Sequence, residues 1–360
     1  MRLYLLDKLV CPHCRHLPLS VKVTDRQEGP KAVIDARPCT SYCAHEQEWL
    51  VNFHYDPPCT LCLQQLVCSG ELTCSKCGSN FPVENGIPNL LVAEHVDDWV
   101  AEEKDWWEKW YAEIKDSARL AQAKVSERSR GVPGNRWWER DILLFAPLRR
   151  RGLAGMLVLE IGAGTSQYVA GLLSPTAERY FYIGTDVSRA ALGIGSRLLP
   201  ESDFVQCAVS GMPFRQKSFD VLLSLGVLHH VPSWQKQLER LTDLLHPAGW
   251  MLFDEAIEKP RVFGTFRHQS LTAPKDSPHE GEIALEELLD VLVRKGRVVT
   301  YRLKTTPLRV LLVWVSERLM ERSILLTKAI VVLDQLFLAI AGRAFPSLGP
   351  GEVLGVFEKG

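Results

Sequence analysis

The chain has 360 residues, 46% hydrophobic and 24% charged, with 42 Lys and Arg against 43 Asp and Glu for a net charge of −1. That length allows two or three domains with cores large enough to need no disulfide staples. The charge balance points away from a general polyanion binder, and the composition excludes collagen-like, coiled-coil and disordered classes.

Nine of the ten cysteines lie before residue 78, and Cys207 stands alone. The start, MRLYLLDKLVCPHC, lacks the basic and apolar regions of a secretory signal, so a cytoplasmic setting is expected. Clustered cysteines there read as metal ligands rather than disulfides. No apolar run reaches the length of a membrane-spanning helix. Composition divides the chain into 1–92, rich in Cys, Pro and Gly, a Trp-rich stretch at 93–134, and an α/β remainder over 135–360. The charged, Gly- and Pro-broken run SERSRGVPGN at 126–135 marks the sharpest boundary.

In the first part, Cys11-Pro-His-Cys14 and Cys74-Ser-Lys-Cys77 are two C-x2-C knuckles. Two such turns supply the four thiolates of a closed, structural Zn²⁺ site. Cys39, Cys43, Cys59 and Cys62 lie between them, with Cys68 left over. Two arrangements are open: a second four-sulfur site, or an exchange in which Cys59 and Cys62 join Cys74 and Cys77. The plain alternative for Cys39, Cys43 and Cys68 is burial as small hydrophobes. LLDKLVCPHC and LTCSKCGSNFPVENGIPNLL resemble the zinc-ribbon subunit that binds and activates several tRNA and protein methyltransferases. The resemblance covers about 35 residues and implies Cys11, Cys14, Cys74 and Cys77 as zinc ligands. The spacer between the knuckles is long for such a ribbon. A closed site leaves zinc no open position, so this part is expected to support rather than catalyse.

Six of the ten tryptophans lie between residues 99 and 138. Trp99, Trp106, Trp110 and Glu113 follow helical spacing, with Trp107 and Tyr111 on the neighbouring face. An amphipathic helix that packs on the next domain, and roofs a ligand pocket with one or two aromatics, is expected there.

The third part opens on Met156-Leu-Val-Leu-Glu160-Ile-Gly162-Ala163-Gly164-Thr. The apolar run reads as a buried parallel strand, and the glycines let backbone approach a ligand closely. A second apolar run, from Tyr180, ends at Asp186, placed to accept hydrogen bonds from ribose hydroxyls. Further strands are expected at 204–207, 219–225 and 250–255, and a helix over 234–245 that stops at His246-Pro247-Ala248-Gly249. A dinucleotide fingerprint would need a third glycine at Gln167. Glu160 instead suits a cofactor with a cationic amino-acid tail.

LEIGAGTSQY, IGTDVS, MPFRQKSFDVLLSLGVLHHV and LLHPAGWMLFDE resemble the successive motifs of class I methyltransferases that use S-adenosylmethionine. The resemblance covers about residues 135–300 and a terminal strand at 352–358. It implies a seven-stranded Rossmann-like sheet beside the small zinc ribbon. It also implies that Glu160, Gly162, Ala163 and Gly164 hold the methionine end, that Asp186 holds the ribose, that Val187 packs on adenine, and that Val209 and Leu225 line the cofactor. Ser166 stands where that family usually has a third glycine, and Ala208 where an Asp often contacts adenine.

Methyl transfer from a sulfonium needs orientation and exclusion of water, and a base only when the acceptor must lose a proton. His229 is the candidate base, with a structural histidine as the alternative. His279, Glu280 and Glu282 of SPHEGE are lesser candidates. The apolar stretch 307–345, within an insertion at 300–350, reads as helices over the site or at a homodimer contact, or as a peripheral membrane contact. The expected acceptor is a small molecule, lipid or glycan. A tRNA or protein acceptor is the alternative, disfavoured by Ser224-Leu-Gly-Val where amino-nitrogen methylation typically uses Asn/Asp-Pro-Pro-Tyr. A degenerate, zinc-dependent scaffold is a third reading, and a nicotinamide oxidoreductase a distant one.

Overall fold

The computed structural model describes residues 1–29, 38–54, 59–114, 140, 144–173, 180–258, 277–279, 281–304 and 352–360. The boundary run 126–135, the apolar stretch 307–345 and Glu280 lie outside the described residues.

Seven described strands form the large sheet. They are β7 (Leu157–Ile161), β8 (Phe181–Asp186), β9 (Asp203–Gln206), β10 (Phe219–Leu225), β11 (Leu245–Ala256), β12 (Gly296–Lys304) and β13 (Glu352–Lys359). Their order is β12-β13-β11-β10-β7-β8-β9. The five strands from β11 to β9 run parallel, and β13 is antiparallel to both of its neighbours. Every residue of β7 is buried, as an apolar strand covered on both faces must be. The fold is α/β with a seven-stranded Rossmann-like sheet, as the sequence predicts.

The N-terminal part forms its own antiparallel sheet. Its strands are β1 (Leu19–Glu28), β4 (Gln65–Cys74), β5 (Asn80–Glu84) and β6 (Ile87–Pro88), in the order β1-β4-β5-β6. A short hairpin, β2 (Tyr42–Cys43) with β3 (Glu48–Trp49), sits beside it. This ribbon covers the open edge of the large sheet. Asn89 bridges Gln206 in parallel, and the Leu90 N–H donates to the Gln206 carbonyl at 2.8 Å. Pairing in this way removes the exposed edge that β9 would otherwise present. The Arg15 guanidinium donates to the carbonyls of Met212 and Phe214 at 2.6 and 2.7 Å. Leu5, Leu6 and Leu9 of the ribbon and Phe181, Phe214 and Phe219 of the large sheet share one buried cluster. Burial of each such side chain is worth about 1.5–3 kcal/mol, so ribbon and sheet stabilise one another.

One strand differs from expectation. β11 begins at Leu245, and the helix before it ends at Thr242. The pairing with β10 jumps from Phe219–Leu245 to Val221–Trp250. His246-Pro247-Ala248-Gly249 is absorbed as a bulge, with Ala248 at φ 61, rather than forming a separate turn.

Candidate functional site

The site lies at the carboxyl edge of the parallel strands, where open α/β sheets bind ligands. After β7 the chain turns through Gly162 (φ 54), Ala163, Gly164 (φ 53) and Ser166 (φ 54) before the helix Gln167–Leu172. A Cβ on Gly162 would stand 2.6 Å from Val227 Cγ2. Gly162→Ala combines that clash with a left-handed backbone and is expected to cost about 1–3 kcal/mol in urea unfolding. Gly226→Ala, also at positive φ but with its nearest neighbour 3.8 Å away, is expected to cost less. Equal losses would show that the Val227 contact does not matter.

Asp186 closes β8 beside this turn. Its Oδ2 accepts from the Gly164 N–H and its Oδ1 from the Ser188 N–H, both at 2.8 Å. Burial pushes its carboxyl up to about 6, against the pull of those N–H groups. Glu160 is 2% exposed and accepts from the Tyr182 hydroxyl. Burial pushes it up to about 8, although the Tyr182 bond and the Arg140 charge oppose the rise. The Tyr182 oxygen also accepts from the Ser166 hydroxyl at 2.9 Å, which holds Ser166 in the left-handed conformation a glycine would take freely. Ala208 is buried just before the turn Val209–Gly211, and Val187 and Val209 are half-buried. Leu225 closes β10 at the same edge.

Arg140 is the residue that sequence reasoning missed here. Its Nε donates to Asp254 Oδ2 at 2.5 Å, and its guanidinium lies 4.0 Å over the Tyr168 ring. Its Nη1 is buried with no hydrogen-bond partner among the described residues. A buried, unpaired guanidinium N–H is costly and calls for an acceptor.

The Trp-rich helix forms over Asp98–Ile114, as predicted, with Val100 and Glu103 buried and Trp107 and Tyr111 half-buried. Glu103, 4% exposed, accepts from Trp107 Nε1 at 2.8 Å and from the His279 N–H at 2.9 Å. Trp107 packs on Tyr111 and on His230, and the Tyr111 hydroxyl lies 2.8 Å from where a Gly164 Cβ would be. Glu108 accepts from Ser188 Oγ at 2.8 Å and from the Ala190 N–H at 3.2 Å. The helix therefore roofs the glycine turn. A carboxylate four residues before an aromatic, Glu103 before Trp107, with Tyr111 one turn further on, was the signal available in the sequence.

His229 stands beside the same edge. Its Nδ1 pairs with Glu255 Oε2 at 3.0 Å, and Glu255 Oε1 is anchored by the Ser224 hydroxyl at 2.7 Å. Next to it, burial and then the neighbouring His229 and His279 push His230 down to about 3, so it is neutral; its Nδ1 meets Ser277 Oγ at 2.7 Å. His279 Nε2 pairs with Glu102 on the roof helix, while Glu282 is exposed.

The sulfur atoms of Cys11, Cys14, Cys74 and Cys77 lie within 4.8 Å of one another. Cys11–Cys77 and Cys14–Cys74 are each 3.6 Å apart, near the ~3.8 Å edge of a tetrahedron with ~2.3 Å metal–sulfur bonds. The donor set fits zinc. The exchange of Cys59 and Cys62 into this site does not occur.

A family model described as a methyltransferase domain matches residues 159–253, the stretch that runs from the glycine turn through β11. The likeness over this stretch is to a methyltransferase domain. The chain resembles phthiotriol/phenolphthiotriol dimycocerosates methyltransferase 1 of Mycobacterium ulcerans, 32% identical over 29% of this chain and 38% of that one. It also resembles methyltransferase str2 of Strobilurus tenacellus, 31% identical over 38% of this chain and 55% of that one. The chain thus spans less than two thirds of the length of either relative. Among solved structures, the Haemonchus contortus phosphoethanolamine N-methyltransferase 2 in complex with S-adenosyl-L-methionine is 15% identical, with a TM-score of 0.46 over 78% of this chain and 62% of that one. Among the described residues, no helix is long and apolar enough to cross a membrane.

Proposed function

We propose that this chain transfers a methyl group from S-adenosylmethionine to a small-molecule, lipid or glycan acceptor, with residues 1–92 as its zinc-bearing support, 93–134 as the roof and 135–360 as the catalytic domain. The observation that carries the reading is the pairing of two carboxylates, buried Glu160 and half-buried Asp186, on either side of a glycine turn that the Tyr111 hydroxyl roofs. Glu160 suits the ammonium of the methionine end. Asp186 has lone pairs left for vicinal hydroxyls. Arg140 Nη1 supplies the buried donor that the methionine carboxylate needs. The cofactor brings an activated methyl; the chain's own residues orient it and keep water out. Tyr111 and Trp107 on the roof helix perform the exclusion. His229, held through Nδ1 by Glu255, is the residue we assign to take the acceptor's proton where one must leave. The dimycocerosates named for the mycobacterial relative support an apolar, lipid-class acceptor.

The test uses the full chain, because ribbon and sheet share a core. Calorimetric titration of zinc-loaded protein with S-adenosylmethionine is expected to show one site. Because the Glu160 carboxyl sits at about 8 in this structure, pairing it with an ammonium at pH 7 is expected to release a proton, read from the dependence of heat on buffer. Formation of S-adenosylhomocysteine is expected with a lipid extract and not with bulk tRNA. Folded protein that binds no S-adenosylmethionine would end this reading.

A further inference from the structure

The N-terminal segment has a second constellation that the four-sulfur cluster leaves unused. Cys39, Cys43 and Cys62 are 5%, 1% and 0% exposed. Cys43 Sγ lies 3.9 Å from Cys62 Sγ, again near the edge of a zinc–thiolate tetrahedron, and Cys62 is in hydrogen-bond reach of Cys39. Cys62 is thus the thiol that the other two share, one reached from each side.

The backbone around Cys43 repeats the geometry of the knuckles at the first site. Cys11 receives the backbone N–H groups of the residues two and three positions on, His13 and Cys14. Cys43 receives those of His45 and Glu46, at the same offsets. The residue four positions on is left-handed in all three turns: Arg15 (φ 60), Gln47 (φ 55) and Gly78 (φ 74). The residue five positions on closes each turn. Cys11 N–H donates to the His16 carbonyl, Cys74 N–H to the Ser79 carbonyl, and Cys43 pairs with Glu48 across β2 and β3. Neither Arg15 nor Gln47 is a glycine, and a left-handed non-glycine residue persists only where its surroundings over-determine it. The ribbon therefore contains a third knuckle, whose i+3 position is Glu46 rather than a second cysteine. The chain supplies the missing sulfurs from elsewhere: Cys39, four residues before Cys43, and Cys62 on the helix Cys59–Gln64, where Cys59 stands one turn earlier.

We propose that Cys39, Cys43 and Cys62 form a second structural zinc site, with the fourth sulfur assigned to Cys59 by its C-x2-C spacing to Cys62 alone, since the Cys59 side chain lies outside the described residues. Its place gives it a purpose. The backbone N–H groups of Thr40, Ser41 and Tyr42, between Cys39 and Cys43, all donate to the Asp7 carboxylate. Arg215 of the α/β domain reaches Thr40 Oγ1 at 2.6 Å. The metal fixes the loop that joins the ribbon's start to the α/β domain.

Elemental analysis and native mass spectrometry of the full chain are expected to give two zinc ions. Cys43→Ser and Cys62→Ser are expected to leave one, as is Cys14→Ser at the other site. Because loss of a structural zinc ligand can prevent folding, the wild-type protein gives an independent reading. Iodoacetamide labelling followed by peptide mapping is expected to leave Cys39, Cys43, Cys59 and Cys62 unlabelled until a chelator is added. Cobalt in place of zinc is expected to show thiolate charge-transfer absorption for eight sulfurs rather than four. One zinc per wild-type chain, or labelling of Cys39 and Cys43 at the same rate with and without chelator, would overturn the second site.

Discussion

Asp186→Ala is expected to weaken S-adenosylmethionine binding about 100-fold, the largest loss at the proposed site. Each oxygen of this carboxylate already holds one backbone N–H, of Gly164 or Ser188, and an ionised carboxylate offers about four acceptor positions. Two remain for vicinal hydroxyls. Hydrogen bonds to a charged group contribute about 1.5–3 kcal/mol each, so losing two removes roughly 3 kcal/mol or more, which is two decades in the dissociation constant. Asp186→Asn keeps one acceptor oxygen and is expected to lose about tenfold. Stability moves the other way. Burial raises the Asp186 carboxyl above its unfolded value, so its charged form works against the unliganded fold. That penalty is fully present above pH 6 and fades as the pH falls toward the unfolded value of about 3.9. Asp186→Asn is therefore expected to melt no lower than wild type at pH 7 while it binds the cofactor worse. Calorimetry and thermal unfolding on the same preparations separate the two effects. Binding within threefold of wild type in Asp186→Ala would remove the ribose role from this residue.

Much of the sheet was legible because a parallel strand buried on both faces must be written as a continuous apolar run. β7, β8 and β10 are such runs, and each carries a residue of the proposed site at its carboxyl end: Glu160 next to the last residue of β7, Asp186, and Leu225 ahead of His229. The start of β11 was not legible. Pro and Gly at 247 and 249 signal a break, and nothing in local pattern shows that a neighbouring strand will tolerate a four-residue bulge there. The helical period of the tryptophans makes the roof helix legible, but not which face it turns inward, because the helix is oriented by Glu103 and Glu108, which satisfy N–H and O–H groups of other elements. Arg140 was invisible for a different reason. Its meaning comes from Asp254, 114 residues away, and from an N–H left without an acceptor. Pairing of the cysteines has the same character: spacing named the two outer knuckles, but only the fold brings Cys62 to Cys43.

The joint between ribbon and α/β domain carries the largest expected effect on stability. Asp7 and Lys8 are both buried, 0% and 1% exposed, with Nζ 2.7 Å from Oδ2. The Asp7 carboxylate also accepts the N–H groups of Thr40, Ser41 and Tyr42 at 2.9, 3.0 and 2.8 Å, and lies 3.5 Å from Arg215 Nη2. Asp7→Ala leaves a buried ammonium without its partner and three backbone donors without an acceptor. Breaking one side of a buried pair costs about 3–5 kcal/mol, a large part of the 5–15 kcal/mol that holds a typical fold. Lys8→Met is expected to cost less, because Arg215 and the three N–H groups still neutralise the carboxylate. The pH dependence follows from the direction of the shift. Burial alone would raise the Asp7 carboxyl, but Lys8, the Thr40 N–H and Arg215 outweigh it and hold it below the usual carboxylate range. Its contribution is fully present above the unfolded value of about 3.9 and is lost as the pH falls through the lower folded value. The difference in urea midpoint between wild type and Asp7→Ala is therefore expected to be constant from pH 5 to 7 and to shrink below pH 4. An equal difference at pH 7 and pH 3 would mean that Asp7 acts through its packing and not through its charge. Cofactor binding in Asp7→Ala, measured below its melting temperature, is expected to stay near wild type, since the joint lies at the β9 edge of the sheet and the glycine turn follows β7.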